Sequence, residues 1–202
     1  MHATHPHVGA IAEAACIDPA GGDTVDRLGH GTAVAGAIRD IAPGATLIVG
    51  KIFDARLATN ADALARGIQW AIQRGARVIN LSLGTSNRAH EDALRAGVEQ
   101  ATNAGALVVS AGESDGVEWL PGSLPAVVRV RADARLERNE IIVDDGAFVA
   151  APFPRSIPGV PKERNLSGVS FAVANTTGFL ARLLEGRDDI GSLTAVLEAL
   201  DS

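Results

Sequence analysis

Two residues able to do covalent chemistry stand beside glycines. His30 lies in Gly29-His30-Gly31-Thr32-Ala33-Val34-Ala35-Gly36, and Ser170 lies in Ser167-Gly168-Val169-Ser170-Phe171-Ala172. A serine hydroxyl is a weak nucleophile until a base takes its proton, and histidine is the usual base near neutral pH. His30 stands where a helix would start, and the small residues behind it (Ala33, Ala35, Gly36, Ala37) let that helix lie close to a sheet. Ser170 opens an apolar helix, where free amides and aligned peptide dipoles favour developing negative charge. Together they point to hydrolysis at an activated serine. Taken singly, each has a plainer reading, a structural histidine and an N-cap serine. A nucleotide-binding reading is disfavoured at named positions: a dinucleotide fingerprint needs glycine at Val34, and a P-loop needs Lys and Ser/Thr where Ala37 and Ile38 stand.

The elements that must position these residues follow from periodicity. Thr46 to Ile52 predicts a buried strand. Asn60 is a helix N-cap, followed by Ala61, Leu64, Ala65, Ile68, Ala71 and Ile72 on one helical face, and Gly75 ends the helix. Arg77 to Leu83 predicts the next strand. A helix from about His90 to Asn103 buries Leu94, Gly97, Val98 and Ala101, and Ala106 to Ala111 is a third strand. Shorter strands are expected at 126–130 and 141–143, and an extended surface loop at 152–161. A small-residue helix runs from Gly168 to Leu184, and Ser192 caps a last one ending near Leu200. The strand–helix alternation, with runs too apolar for a sheet wetted on one face, predicts an α/β fold. Its expected form is a doubly wound parallel sheet with helices on both faces. Sites in such sheets lie beyond the carboxyl ends of the strands.

Composition narrows the function. The 202 residues suit one domain; 47% are hydrophobic, and 18 basic against 24 acidic residues give a net charge of −6. That balance offers no basic patch for nucleic acid and no polybasic membrane signal. No run approaches the roughly 20 apolar residues of a spanning helix, and no basic-then-apolar leader opens the chain, so a cytoplasmic location is expected. The single cysteine, Cys16, excludes an internal disulfide and reads as a small buried hydrophobe. No metal or other cofactor is expected: His2, His5, His7 and His90 read as loop residues, and no acidic loop suggests calcium.

Four segments then acquire a common meaning. Leu28-Gly-His-Gly-Thr-Ala-Val-Ala-Gly36 resembles the histidine motif of the subtilisin-like serine proteases. Val78-Ile-Asn-Leu-Ser-Leu-Gly84 resembles their substrate-binding strand, Val108-Val-Ser-Ala-Gly-Glu113 the segment ending at the oxyanion-hole residue, and Gly168-Val-Ser-Phe-Ala172 the nucleophile motif. The four occur in the family's order, from His5 to about Glu185. The resemblance implies that His30 is the general base and Ser170 the nucleophile. It also implies that Ser82, Leu83 and Gly84 pair with an extended substrate and border the first specificity pocket. The Ser170 amide and position 113 would face the oxyanion. The implied partner is a peptide or protein substrate, cut through an acyl-enzyme.

The chain departs from that pattern in two places. The family's aspartate sits on a first strand, shortly before a His-Pro pair. Aligning His5-Pro6 with that pair puts the aspartate three positions ahead of Met1, so the first strand is expected to be missing and residues 1–202 to form a single domain truncated at its N-terminus. A fold without a central strand should carry an uncovered apolar slot. Asp18, Asp23 and Asp26 precede His30 but read as loop acids. Glu113 stands where the family presents an asparagine amide, and an ionised carboxylate cannot donate. Two readings stay open: a restricted-specificity processing endopeptidase, and an inactive subtilisin fold that binds peptides.

Overall fold

In the computed structural model, residues 5–18, 21–53, 59–114 and 116–200 are described. Local chemistry sets the helix ends as the sequence suggests. Helix α1 spans His30–Ile41. Helix α2 spans Ala61–Gln73, with the Asn60 side chain accepting the Ala63 amide at 2.8 Å. Helix α3 is Glu91–Asn103, α4 Val169–Leu183 and α5 Leu193–Leu200, the last capped by Ser192 Oγ on the Ala195 amide at 3.2 Å. Gly75 and Gly105 take the left-handed conformation just past α2 and α3, with φ of 69° and 73°.

Nine strands accompany them: β1 Glu13–Cys16, β2 Ile48–Lys51, β3 Val78–Leu81, β4 Leu107–Ala111, β5 Glu113–Ser114, β6 Val117–Glu118, β7 Val128–Ala132, β8 Ile141–Asp144 and β9 Ala147–Ala150. The main sheet has order β3-β4-β7-β9-β8, parallel except for the antiparallel edge strand β8. Successive residues of β4 serve opposite faces, as the two-residue strand period requires. Val108 packs with Leu64, Ile68, Leu94 and Val98 of α2 and α3. Leu107 and Val109 pack with Ala172, Val173 and Leu180 of α4 and with Val196 of α5. Helices therefore cover both faces. Helix α1 lies on α4 through Val34, Ala37, Ile38, Phe171 and Ala174.

Several local expectations change. The strand expected at 126–130 starts at Val128, because Ala126 turns the chain with φ of 64°. The 152–161 loop is exposed from Arg155 onward, but Ala151 to Pro154 are buried, where Asn175 Nδ2 donates to the carbonyls of Ala151 and Phe153 at 2.9 and 3.0 Å. Cys16 is half-buried on β1 rather than buried.

The sheet is broken between β2 and β3. Strands β1 and β2 pair in parallel with each other, and neither joins the five-stranded sheet. Between them lies a cavity of about 940 Å³, bordered by Ile48 and Val49 of β2, Ile79 and Leu81 of β3, and Val34 of α1. A strand takes about 4.8 Å of sheet width and 10 Å between layers, and the space is large enough to take one. Its lining is largely apolar.

Candidate active site

The site forms where β3 ends and α1 and α4 begin. His30 is the first residue of α1, behind Gly29 at φ 74°, which offers no side-chain cap. The Asp26 carboxylate supplies that cap instead. It accepts from the Thr32 amide and hydroxyl, both at 2.7 Å, and from the amides of Gly29 and Leu28 at 2.8 and 3.1 Å. Asp26 is therefore a helix-capping acid rather than a solvated one. Desolvation works against its charge, but these donors prevail and hold its pKa below the usual carboxylate value.

Ser170 is the second residue of α4, in the first turn, where amides have no partner in the helix ladder. Its hydroxyl donates to the Ser82 carbonyl at 3.2 Å, and the Ser82 hydroxyl donates back to the Ser170 carbonyl at 2.9 Å. The Ser82 backbone also lies near enough to the His30 ring to act on its charge, and that ring packs at 5.9 Å between centroids on Phe171, the neighbour of Ser170. Base and nucleophile are thus brought together around Ser82 and Phe171. Desolvation lowers the His30 pKa, opposed by the Asp26 charge and by the Ser82 backbone, and the net direction is down. The imidazole is consequently neutral and able to accept a proton near neutral pH. Among the described residues no carboxylate is hydrogen-bonded to it.

A second layer steadies Ser82. Thr177 Oγ1 donates to Asn80 Oδ1, and Asn80 Nδ2 donates to Ser82 Oγ, each at 3.0 Å. Sequence reasoning passed over Asn80 and Thr177; the signal was a polar side chain inside an apolar strand and another inside an apolar helix.

Leu83 and Gly84 extend from β3 beside this centre, Leu83 half-buried and Gly84 exposed. Glu113 lies two residues beyond β4, exposed, and opposite Glu118 in the two-stranded ribbon β5–β6. Glu118 is ion-paired with Arg88. No hydrogen bond joins the Glu113 side chain to His30 or Ser170 among the described residues. Away from the centre, His7 meets Arg155 at 2.6 Å and His5 at 5.2 Å between rings, and His90 contacts Asn87 at 3.4 Å; His2 lies outside the described residues. The described residues contain no His/Cys/Asp/Glu cluster suited to a metal, and none of their helices is long and apolar enough to cross a membrane.

Comparison with known proteins gives this geometry a context. Residues 15–143 match the Peptidase S8 subtilase family, a span that holds His30, Ser82 to Gly84 and Glu113. Subtilisin Savinase of Lederbergia lenta is 35% identical over 184 residues, covering 86% of this chain and 66% of that protein. A thermostable alkaline protease of Halalkalibacterium halodurans is 34% identical over 181 residues, covering 80% of the chain and 48% of the relative. The chain spans about half to two thirds of the length of these relatives. A cold-adapted subtilisin-like serine proteinase shares the fold, with a TM-score of 0.73, 19% identity and coverage of 96% of this chain and 74% of the other. The prenylagaramide maturation protease PagA superposes with a TM-score of 0.65 at 25% identity, covering 88% of this chain and 70% of PagA.

Proposed function

This chain belongs to the subtilase family, and we propose that it is a serine endopeptidase working through an acyl-enzyme on Ser170. The observation that carries the reading is the meeting of Ser170, bonded to the Ser82 carbonyl, with a neutral His30 packed on the neighbouring Phe171. A short rotation of the Ser170 hydroxyl off that carbonyl turns its proton toward the imidazole. His30 takes the proton as Oγ attacks the peptide carbonyl and returns it to the leaving amine, while the Ser170 amide faces the oxyanion. A carboxylate at the end of a strand lying in the slot between β2 and β3 would be placed to orient His30. A strand parallel to β3 there brings its carboxyl end past Ser82, beside the ring.

The finer reading is a cytoplasmic processing protease that removes a leader or matures one partner. The similarity to PagA, described as a maturation protease, supports it, and the small subtilisin-like protease of quinohemoprotein amine dehydrogenase maturation is a protein of the same kind. A second reading is favoured by Glu113 and by the absence of a carboxylate on His30 among the described residues: a subtilisin fold that binds peptides without cutting them. A fluorophosphonate probe separates the two. An activated Ser170 is labelled, Ser170→Ala abolishes labelling and His30→Ala slows it. A folded protein that the probe does not label is a peptide binder.

A further inference from the structure

A peptide carbonyl placed against Ser170 Oγ lies beside Ser82, because the two serines are already in contact. The leaving amine must sit on the α1 side to receive its proton from His30. The acyl-side residue therefore lies along the opposite direction, over Leu83 and Gly84. Gly84 bears no side chain, and its exposed face would leave room there for a large substituent. That room is taken. A Cβ placed on Gly84 would be 3.4 Å from both Cβ and Cε3 of Trp119, and 2.8 Å from the Leu120 carbonyl oxygen.

The indole is anchored at this spot by its own main chain. The Trp119 amide donates to the Gly112 carbonyl at 3.0 Å, which ties it to the end of β4. Leu120, itself buried, exchanges two backbone hydrogen bonds with Thr85 at 2.9 and 3.0 Å, which ties it to the extension of β3. The ring thus spans the two segments that would wall a pocket for the acyl-side side chain. Its Nε1–H is buried with no acceptor among the described residues, so packing rather than hydrogen bonding holds the ring.

We propose that Trp119 closes this pocket and restricts the residue on the acyl side of the cleaved bond to Gly, Ala or Ser. The proposal rests on the peptidase reading for its biological meaning, but its geometry concerns binding alone. A pocket discriminates poorly against a side chain that merely underfills it, by about tenfold or more per methylene. A filled pocket rejects large groups outright, because a close-packed wall has nowhere to move.

The test measures binding of two acetylated tetrapeptide acids, Ala-Ala-Ala-Ala and Ala-Ala-Ala-Phe, to the purified chain by isothermal titration calorimetry. The wild-type protein should bind the alanine peptide at least about tenfold more tightly. Trp119→Ala should erase or invert that preference, and Trp119→Val, which keeps an apolar side chain in place, should reduce it should the alanine variant fold poorly. Equal binding of the two peptides by the wild-type chain, binding of neither, or a preference untouched by both substitutions overturns the proposal. Fluorophosphonate labelling is read on the same wild-type preparation. An unlabelled protein that keeps the alanine preference supports the pocket and overturns the peptidase reading.

Discussion

At the scale of single residues, His30 decides the pH response. Burial depresses its pKa below the ordinary 6.5, so the unfolded chain takes up the proton first as pH falls. Stability contributed by the neutral ring is therefore complete above pH 6.5 and is lost as pH drops through the lower folded value. Reactivity follows the same sign, since only neutral imidazole accepts the Ser170 proton. Fluorophosphonate labelling measured from pH 4 to 8 should rise to a plateau with its midpoint below 6.5. Asp26→Asn should move it lower still, because the Asp26 charge is what opposes the shift; a midpoint above 6.5 would contradict the assignment. Glu113 makes a separate prediction. An amide there can donate to the oxyanion where a carboxylate cannot, so Glu113→Asn should preserve or raise peptidase turnover, by up to about 10²-fold, the magnitude known for one such donor in a subtilisin. Complete loss would show that the carboxylate is required. The neighbours of His30, Ser170, Ser82 and Glu113 single them out in the sequence, and the structure brings the first three together while Glu113 stays exposed on the β5–β6 ribbon. The sequence concealed Trp119 over Gly84, the Thr177–Asn80–Ser82 chain and the capping role of Asp26, because each depends on distant segments meeting.

The elements hold the base and nucleophile in register through the crossing of α1 and α4. Gly178 makes that crossing close: a Cβ there would sit 2.8 Å from Ile41 Cβ and 3.2 Å from the Ile38 carbonyl oxygen. Neither contact is with the free end of a flexible side chain, so Gly178→Ala must push the helices apart. Overpacking of this kind costs about 1–3 kcal/mol. Thermal unfolding should fall by several degrees for a domain this size, and Ser170 labelling should slow with it, since α1 carries His30 and α4 carries Ser170. An unchanged melting temperature would show that the interface yields. The long elements were legible because apolar spacing, Asn60, Gly75, Gly105 and Ser192 agree on where helices start and stop. Strands β1 and β9 were not, since Glu13–Cys16 carries no β-branched residue and Ala147–Ala150 only one, so neither stands out as a strand from its own residues.

For the whole molecule, the governing feature is the gap that divides β1–β2 from the main sheet. The facing edges of β2 and β3 border it, and apolar side chains from α1, β2 and β3 line it. Such an edge is a template for another strand, and a chain presenting it is exposed to non-native pairing. An apolar strand in the gap would bury several Val- or Ile-sized side chains at about 1.5–3 kcal/mol each, against about 1–2 kcal/mol of backbone entropy per ordered residue. The two sums are of similar size, and the backbone hydrogen bonds gained along both edges tip the balance, so the melting temperature should rise. Filling the gap should act on chemistry as well. A form extended at the N-terminus by an apolar strand ending in Asp-Ser-Gly or Asp-Thr-Gly would place a carboxylate at the Ser82 end of the slot, within reach of His30. Its labelling rate should exceed that of the 202-residue chain by about 10⁴-fold, the loss seen when a subtilisin is deprived of its aspartate. The same extension with Asn for Asp separates the two effects: it should keep the gain in melting temperature and lose the gain in rate. An extension that changes neither would mean that the gap does not accept a strand, and the carboxylate would then have to come from elsewhere.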